Sequence, residues 1–185
     1  MTQAQLTVLA GPTAVGKGTV VAALTRRYPQ LRVSVSATTR APRPGEKEGV
    51  HYFFVSPREF DDMIERGDML EWALVHGTNK YGTPRGPVDE SLNAGVPVLL
   101  EIDLDGARQV RATRPDACFI FLAPPSWEEL ERRLIGRGTE GSEERERRLR
   151  TARIEMEAAS EFDHVVINDD IERTVDELAG LIGLE

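Results

Sequence analysis

The chain has 185 residues, a length that suits one ordinary domain or one core carrying small inserted subdomains. Its formal net charge of -8 argues against a nucleic-acid-binding or membrane-surface protein and fits a small anionic ligand better. We see no signal segment and no apolar run long enough to span a bilayer, so we expect a cytoplasmic protein with no membrane partner. The single cysteine, Cys118, lies in an apolar run and is expected to be buried packing.

A phosphate-binding loop is predicted near the N-terminus. Glycines in such a loop let backbone N–H groups turn inward, the following helix adds the positive end of its dipole, and a lysine neutralises the β- and γ-phosphates. Gly11, Gly16 and Lys17 have the required spacing. The predicted strand, loop and helix are Leu6–Ala10, Gly11–Thr19 and Val20–Tyr28.

One position departs from the usual pattern of this loop, which has Ser or Thr directly after the lysine as a ligand of Mg²⁺. Here that position is Gly18, and Thr19 follows it. Either the Thr19 hydroxyl binds the metal from one position later, or phosphates, water and a distant carboxylate hold it. The sequence leaves both alternatives open.

A second anion site is predicted in the next loop. Residues Leu31–Ser36 alternate between apolar and polar, which indicates a strand that runs into this loop. Arg40 and Arg43 follow, three positions apart in a proline-stiffened segment. Guanidinium groups match phosphate oxygens in a bidentate way. Next to a phosphate-binding loop, a second phosphate site is a better interpretation than a solvated loop.

The segment from residue 50 to residue 75 predicts a strand, a helix and a second strand. Val50–Val55 is aromatic and β-branched, as strands are. Ser56–Glu59 has the pattern of a capping box with proline at the first helical position, so a helix should run to about Gly67. Met69–Val75 is the second strand, and Glu71 interrupts its apolar character.

Two interpretations of Glu71 follow from this position. As part of an alternating strand, its side chain would face solvent. As a ligand, its carboxylate would accept hydrogen bonds from the N1–H and N2–H₂ edge of guanine, which adenine does not present.

The following segment is predicted to carry hydroxyl groups and carboxylates toward the site. Asn79–Pro84 has the composition of a turn, in which Tyr81 and Thr83 offer hydroxyls. Gly86–Ala94 is a predicted helix, and Val96–Asp103 is a near-continuous apolar run that ends in carboxylates. Such a run is typical of a buried parallel strand whose C-terminal end faces the site.

The carboxylates at this strand end have two interpretations. They suit a water bound to Mg²⁺ or a contact with substrate, or they are acids at the start of the helix that opens at Leu104. For Asp103 both alternatives stay open, whereas for Asp105 the helix start is favoured.

The last third of the chain is predicted to be two strands and three helices. Arginines in the polar helix, and in the segment Gly136–Gly141 before it, are best explained as a solvated face, but they also suit a lid that closes over a transferring phosphoryl group. Asn168 is either a turn residue at a strand end or a neighbour of an adenine base. The predicted elements are the strand Ala117–Ala123, a helix from Ser126 that carries Arg132 and Arg133, the helix Ser142–Ala159, the strand His164–Asn168 and a helix capped by Asp169 and Asp170 that ends near Gly183.

With these motifs in this order, the chain resembles the guanylate kinase family, P-loop nucleoside monophosphate kinases that transfer a phosphoryl group from ATP to GMP or dGMP. The resemblance covers essentially the whole chain. The motifs that carry it are Gly11–Lys17, Ser34–Arg43, Leu70–Ala73, Tyr81-Gly82, Glu101–Asp103, Leu122–Ser126, Gly136–Glu140 and Val166–Asp170. The chain differs from the family's usual loop at two positions. The family usually has serine where this chain has Gly18, and it often has a second mid-loop glycine where this chain has Ala14.

The resemblance implies a role for each matching residue. The implied ATP site comprises Gly11, Pro12, Thr13, Ala14, Val15, Gly16, Lys17, Gly18, Thr19 and, beside adenine, Asn168. The implied GMP site comprises Arg40, Arg43, Tyr52 and Tyr81 at the phosphate, and Ser36, Glu71 and Thr83 at the base, with Asp103 nearby. Lys17, Arg133, Arg137 and Arg148 would stabilise the transferring phosphoryl group, and Mg²⁺ would accompany ATP with Thr19 or, through water, Asp103 as its ligand.

We therefore expect an α/β fold of the P-loop NTPase type, with a parallel sheet, helices on both faces, an inserted GMP-binding subdomain and a lid. The expected bounds are 1–33, 96–125 and 161–185 for the core, 34–95 for the insert and 126–160 for the lid. The expected partners are ATP and GMP or dGMP, and no nucleic acid. A P-loop kinase with another acceptor and a non-catalytic phosphopeptide-binding module are the alternatives. Glu71 with the arginine pair argues against the first, and the intact lysine and lid arginines argue against the second.

Overall fold

The computed structural model describes residues 4–135 and 141–185. Strands and helices alternate through most of this part of the chain. The strands are β1 (Leu6–Ala10), β2 (Arg32–Val33), β3 (Ala37–Thr38), β4 (Phe53–Phe54), β5 (Met69–Val75), β6 (Asn79–Pro84), β7 (Val98–Glu101), β8 (Cys118–Ala123) and β9 (His164–Ile167). The helices are α1 (Lys17–Arg27), α2 (Pro57–Glu65), α3 (Arg85–Asn93), α4 (Leu104–Thr113), α5 (Trp127–Ile135), α6 (Ser142–Glu157), a 3₁₀ helix (Ala158–Glu161) and α7 (Ile171–Ile182).

The main sheet has five parallel strands in the order β2-β7-β1-β8-β9. Its central strands are mostly apolar because helices cover both faces. Helices α1 and α7 pack on one face around Leu9 and Ile120, and α3 and α4 pack on the other around Val8 and Phe119. The predicted α/β class, a parallel sheet with helices on both faces, is confirmed. All five strands point the same way, so their C-terminal ends meet at one edge of the sheet.

A second, mixed sheet lies within residues 37–84 in the order β4-β3-β6-β5. It has a small apolar cluster of its own around Phe60, which is fully buried between Ala37 and Met69. Leu70 of β5 packs instead with the core beneath α4, so the second sheet is joined to the main one. This sheet lies inside the predicted insert, whose bounds stay a prediction, as do those of the lid.

The prediction of a turn over Asn79–Pro84 is wrong, because this segment is strand β6 and pairs with both β3 and β5. The turn comes earlier, at His76 and Gly77, whose φ angles of 52° and 66° suit a tight hairpin. Gly82 is part of the strand because β5 approaches closely there. A side chain at that position would come within 2.7 Å of the Glu71 carbonyl oxygen.

Other predicted elements differ mainly in length. The strands expected over Leu31–Ser36 and Val50–Val55 are two residues each, since the chain leaves the main sheet after Val33 and joins the second sheet at Ala37. The capping box of α2 is confirmed, with Ser56 and Glu59 bonded reciprocally. Cys118 is buried at the start of β8, as predicted.

Helices α5 and α6 pack on each other through a separate apolar cluster that contains Leu130, Leu134 and Ala152. The segment Gly136–Gly141, which was predicted to belong to a solvated face or a lid, lies outside the described residues except for Gly141. Across 4–135 and 141–185, the helices include none that is both apolar enough and long enough to cross a membrane.

Candidate active site

The loop between β1 and α1 wraps tightly around the C-terminal end of β8. Gly16 caps α1 in the left-handed conformation, with φ 99°, where glycine carries no steric penalty. A Cβ on Gly11 would collide with the backbone carbonyl of Leu122. Both glycines are therefore required by the path of the backbone itself.

Ala14 also has a left-handed backbone, with φ 70°. This conformation costs a residue with a Cβ about 1 kcal/mol, which explains why glycine is the more usual choice at this position. The Ala14 methyl group packs against the cluster formed by α5 and α6. The departure noted in the sequence thus gives the loop an apolar contact with the predicted lid.

Lys17 lies over the loop that it follows. Its Nζ atom donates a hydrogen bond to the carbonyl oxygen of Gly11 at 2.7 Å. Burial lowers the pKa of the Lys17 ammonium group, and the negative charges of Glu155, Glu101 and Asp103 oppose that shift. The nearby carboxylates favour the charged form of the partly buried Lys17 side chain, and a charged ammonium group is suited to binding phosphate oxygens.

The carbonyl oxygen of Val15 joins the loop to two other parts of the chain. It accepts a hydrogen bond from the Asn168 amide at 2.9 Å and one from the Arg133 guanidinium at 3.3 Å. Asn168 follows β9 and is buried, and its own amide oxygen accepts from the Thr174 hydroxyl at 3.2 Å. Asn168 is thus more than a turn residue, since its amide braces the loop; its place beside adenine stays a prediction.

Three carboxylates surround the loop, those of Glu101, Asp103 and Glu155, and sequence reasoning gave a role to the first two but not to Glu155. Asp103 was the candidate site residue among them. Its side chain caps α4 by accepting from the Gly106 N–H at 2.8 Å, so the helix-start interpretation holds, and one carboxylate oxygen is left for other contacts. Glu101, at the end of β7, lies 3.9 Å from the place where a Gly18 Cβ would be. Glu155 of α6 accepts a hydrogen bond from the Thr13 N–H at 3.3 Å.

These oxygen groups are of the kind that Mg²⁺ prefers. Thr19 is exposed on the first turn of α1, and Glu101 and Asp103 are exposed at the end of β7. Within the described part of the chain, no three carboxylate, imidazole or thiol groups come together as a metal cage. The residues present fit a metal that is bound mainly by phosphates and water.

The second site is built around Arg40, which follows β3. Its Nε atom donates to the Tyr81 hydroxyl at 3.2 Å, and its two Nη atoms donate to the Glu46 carboxylate at 3.0 and 2.9 Å. The guanidinium carbon lies 5.3 Å from the centre of the Tyr52 ring, which meets the Tyr81 ring edge to face at 5.9 Å. Arg40, Tyr52 and Tyr81 are therefore brought together as predicted, although Glu46 was not foreseen.

Glu71 lies on β5 opposite Thr83 of β6, two residues along β6 from Tyr81. It is only 8% exposed, so the solvent-facing interpretation is wrong, and its carboxylate accepts from the Thr83 hydroxyl at 2.7 Å. A β-bulge between Met69 and Glu71 redirects the side chain. Burial raises the pKa of the Glu71 carboxyl, the hydrogen bond from Thr83 opposes the shift, and the charges of Asp103 and Asp105 add to it.

Helix α4 closes the Glu71 pocket from the side of the main sheet. A Cβ on Gly106 would lie 2.9 Å from the Glu71 carboxylate and 3.1 Å from that of Asp103, so the absent side chain lets both approach. Gln109 accepts from the Trp72 N–H at 3.1 Å and donates to the Trp72 carbonyl at 3.0 Å. This pair of bonds fixes strand β5 beside Glu71, and the sequence offered no local signal for it.

The remaining predicted site residues have fewer contacts. Ser36 is half-buried at the start of β3, and its carbonyl accepts from the Phe53 N–H at 2.9 Å. Arg43 is exposed, and Arg148 is half-buried on α6. Arg137 lies outside the described residues.

Taken together, a phosphate-binding loop at the edge of a five-stranded parallel sheet and an arginine-tyrosine site on a second sheet define a P-loop kinase. The family model described as "Guanylate kinase" matches residues 3–185. The guanylate kinase of Thermobifida fusca (strain YX) is 60% identical over 178 residues, which cover 96% of this chain and 90% of that protein. The chain belongs to the guanylate kinase family, and the resemblance given by the sequence is confirmed.

Solved structures agree with this result. The crystal structure of guanylate kinase from Anaplasma phagocytophilum superposes with a TM-score of 0.72 at 35% identity, covering 97% of this chain and 85% of that one. A shikimate kinase from Bacteroides thetaiotaomicron is similar in fold alone, with a TM-score of 0.52 at 16% identity over 97% of this chain and 98% of that one. The core architecture is thus shared with a kinase that is only distantly similar in sequence.

Substitution by alanine is expected to have opposite effects on stability at two glycines of this loop, Gly11 and Gly18. Gly11→Ala should lower the free energy of unfolding by about 3 kcal/mol, because the new methyl group meets backbone that cannot move away. Gly18→Ala is the matched control: its methyl group has space, and alanine favours the helix by about 0.5–1 kcal/mol. Urea unfolding of both variants measures the difference. Equal stabilities would contradict the close packing of Gly11.

Proposed function

We propose that the chain transfers the γ-phosphoryl group of ATP to GMP, and also to dGMP, giving ADP and GDP or dGDP. The observation that carries this proposal is the pairing along β6. Tyr81 accepts from Arg40, and two residues further on Thr83 donates to Glu71. Side chains two apart on a strand share one face about 7 Å apart, so the strand presents an anion-binding end and a base-binding end together.

The acceptor site suits a guanine nucleotide. Arg40, Arg43, Tyr52 and Tyr81 would hold the phosphate, and Ser36, Glu71 and Thr83 would contact the base, with Asp103 nearby. Thr83 already occupies one oxygen of the Glu71 carboxylate. The other oxygen, and the free oxygen of Asp103, remain for the two N–H groups of guanine. Adenine has no N–H at the corresponding ring position and would leave a buried acceptor unpaired.

The donor site would bind ATP along the loop from Gly11 to Thr19. Backbone N–H groups and Lys17 would bind the phosphates, and Asn168 would border adenine. In this arrangement ATP replaces the Glu155 carboxylate at the Thr13 N–H. Mg²⁺, bound with ATP and held through Thr19 or through water by Asp103, would neutralise charge on the phosphates.

Phosphoryl transfer then depends on position and charge. Closure brings a phosphate oxygen of GMP into line with the γ-phosphorus; the new O–P bond forms as the bond to ADP breaks. GMP phosphate is already anionic near neutral pH, so no general base is needed. Lys17, Arg133, Arg137 and Arg148 would stabilise the charge on the transferring group, and the lid would exclude water.

The alternatives are weaker for specific reasons. A kinase for another acceptor does not explain a buried carboxylate beside a phosphate site. A non-catalytic phosphopeptide module does not need Lys17, which here lies against the Gly11 carbonyl. A role in purine nucleotide metabolism and a cytoplasmic location are part of the proposal, and an absence of nucleic-acid partners stays a prediction.

The direct test is an ADP-release assay with Mg·ATP and, separately, GMP, dGMP, AMP, CMP and UMP as acceptors. We expect turnover with the two guanine nucleotides only. If none of the five acceptors gave ADP release while calorimetry still showed GMP binding, the non-catalytic binding module would be favoured instead.

Lys17→Ala should abolish turnover while leaving GMP affinity nearly unchanged, because the hydrogen bond of Lys17 is to the donor loop and, within the described residues, it makes none to Arg40, Tyr81 or Glu71. Stopped assays give the rate, and calorimetry gives the dissociation constant of GMP. A variant with near-normal turnover would remove Lys17 from the mechanism.

Glu71→Ala should raise the KM for GMP about tenfold or more and reduce discrimination against AMP, as a loss of about 1–3 kcal/mol in base contacts implies. Only the ionised Glu71 carboxylate can accept from the Thr83 hydroxyl with one oxygen and from a guanine N–H group with the other. Guanosine affinity should therefore fall as pH falls through the raised pKa of Glu71. Glu71→Gln is the control, since it should remove this pH dependence. An unchanged GMP/AMP ratio in Glu71→Ala would exclude Glu71 from guanine recognition.

A further inference from the structure

Glu46 lies in the loop between β3 and β4, and its carboxylate contacts both predicted phosphate-binding arginines. Its two oxygens form a fork with the two Nη atoms of Arg40, at 3.0 and 2.9 Å. The same carboxylate accepts from the backbone N–H of Arg43 at 2.8 Å, and the Glu46 N–H donates to the Arg43 carbonyl at 3.0 Å. The side chains of Arg40 and Glu46 are only 13% and 19% exposed. One side chain thus fixes the arginine and the turn that follows it.

A count of hydrogen-bond donors shows what this fork leaves available. Arg40 has five N–H groups. One donates to the Tyr81 hydroxyl, one to the Ala41 carbonyl and two to Glu46, so one Nη2–H remains. Because the Tyr81 oxygen accepts from Arg40, its own hydroxyl proton is free to donate. An incoming phosphate therefore meets two donors whose positions are already set.

The Arg43 guanidinium completes this set. Glu46 holds the backbone of Arg43, whereas its exposed guanidinium has no hydrogen bond or ion pair with any residue in 4–135 or 141–185. The charge of the Arg43 guanidinium is therefore available to an anion. The turn closed by Glu46 fixes the backbone from which this side chain extends, three residues after Arg40.

A carboxylate beside a phosphate site has two opposite interpretations: it competes with the phosphate, or it positions the phosphate ligands. Competition requires Glu46 to leave Arg40 when GMP binds, which would leave a largely buried carboxylate without its oppositely charged partner. The hydrogen bonds from Arg40 also lower the pKa of Glu46 to about 2, so the pair is fully ionised at neutral pH. The positioning role is favoured.

We propose that Glu46 is a positioning residue for the acceptor phosphate, acting by holding Arg40 and the Arg43 turn in their phosphate-binding arrangement. The inference rests on the proposed function, since it assigns the acceptor phosphate to this loop. Glu46 touches no reacting atom. The contact of the two arginines with the acceptor phosphate is equally strong before and during phosphoryl transfer. Loss of the Glu46 carboxylate should therefore raise the KM for GMP and leave kcat nearly unchanged.

The test compares Glu46→Gln with Glu48→Gln. Both remove one negative charge from the same loop. Among the residues that the structure describes, the Glu48 carboxylate accepts a hydrogen bond from the Phe54 N–H alone, and a glutamine oxygen can accept the same bond. A glutamine at position 46 would turn an N–H₂ group toward one of the Arg40 donors and break the fork. Glu46→Ala is a second variant that lacks the group entirely.

We expect Glu46→Gln and Glu46→Ala to raise the KM for GMP about tenfold or more, with kcat and the KM for ATP changed by less than about twofold. Guanosine, which has no phosphate, should bind both variants as tightly as it binds the unchanged chain, and this also shows that the site is folded. Glu48→Gln should leave every constant unchanged. In an Arg40→Met background, Glu46→Gln should change the KM for GMP by less than about twofold, because the glutamine oxygen can still accept from the Arg43 N–H and the fork with Arg40 is already lost.

Two results would overturn the inference. One is GMP affinity that is equal or higher in Glu46→Gln, which would make Glu46 a competitor or a bystander. The other is a further rise of about tenfold in the KM for GMP when Glu46→Gln is added to Arg40→Met, which would show that Glu46 acts without its fork to Arg40. Failure of the proposed function gives a different result, because the protein without any substitution would then not phosphorylate GMP.

Discussion

The carbonyl oxygen of Val15 holds the donor site in place. By accepting from Asn168 and Arg133, it ties the phosphate-binding loop to the end of β9 on one side and to α5 on the other. The loop can then keep its N–H groups turned toward a ligand even though backbone groups without partners are costly. Gly11 packs against β8, Ala14 packs against the α5–α6 cluster, and Lys17 crosses back to the Gly11 carbonyl. All of these contacts depend on the same turn of backbone.

The proposed acceptor site is built differently, because its charged side chains are ordered by a strand. Strand β6 carries Tyr81 and Thr83 on one face, and each orders a charged partner, Arg40 or Glu71. Asp103 connects this site to the donor site. Its charge opposes the lowering of the Lys17 pKa and adds to the raising of the Glu71 pKa, so it lies near both. The position of Asp103 at the end of β7 makes the main sheet the common reference for the two sites.

Much of this arrangement could be predicted from local sequence. Strands β1, β7 and β8 are apolar runs with helices on both faces, and the loop of Lys17 has its own spacing. Strand β6 could not be recognised, because Asn79, Gly82 and Pro84 are turn-forming residues and only pairing with two neighbours makes the segment a strand. The same holds for single side chains. Glu155 meets Thr13 across 142 positions, and Gln109 meets Trp72 across 37, so no local pattern contains either contact.

Glu46 is an instructive intermediate case. It lies only six residues from Arg40, yet the sequence of its loop is equally compatible with a solvated acid. What distinguishes it is the fork geometry and the low exposure, which depend on Tyr52 and Tyr81 covering the arginine. Local sequence predicts that the arginines are anion ligands, and only the fold shows which side chain holds Arg40 in place.

Donor and acceptor phosphates are expected to meet in one cleft beside Asp103. The most direct measurement is a calorimetric titration with a dinucleotide in which a chain of five phosphates joins adenosine to guanosine. If both sites face the same cleft, this compound should bind at least about tenfold more tightly than ATP or GMP and should displace both, because its second half binds intramolecularly. Binding no tighter than that of ATP, with GMP still able to bind, would show that the two sites do not form one active centre.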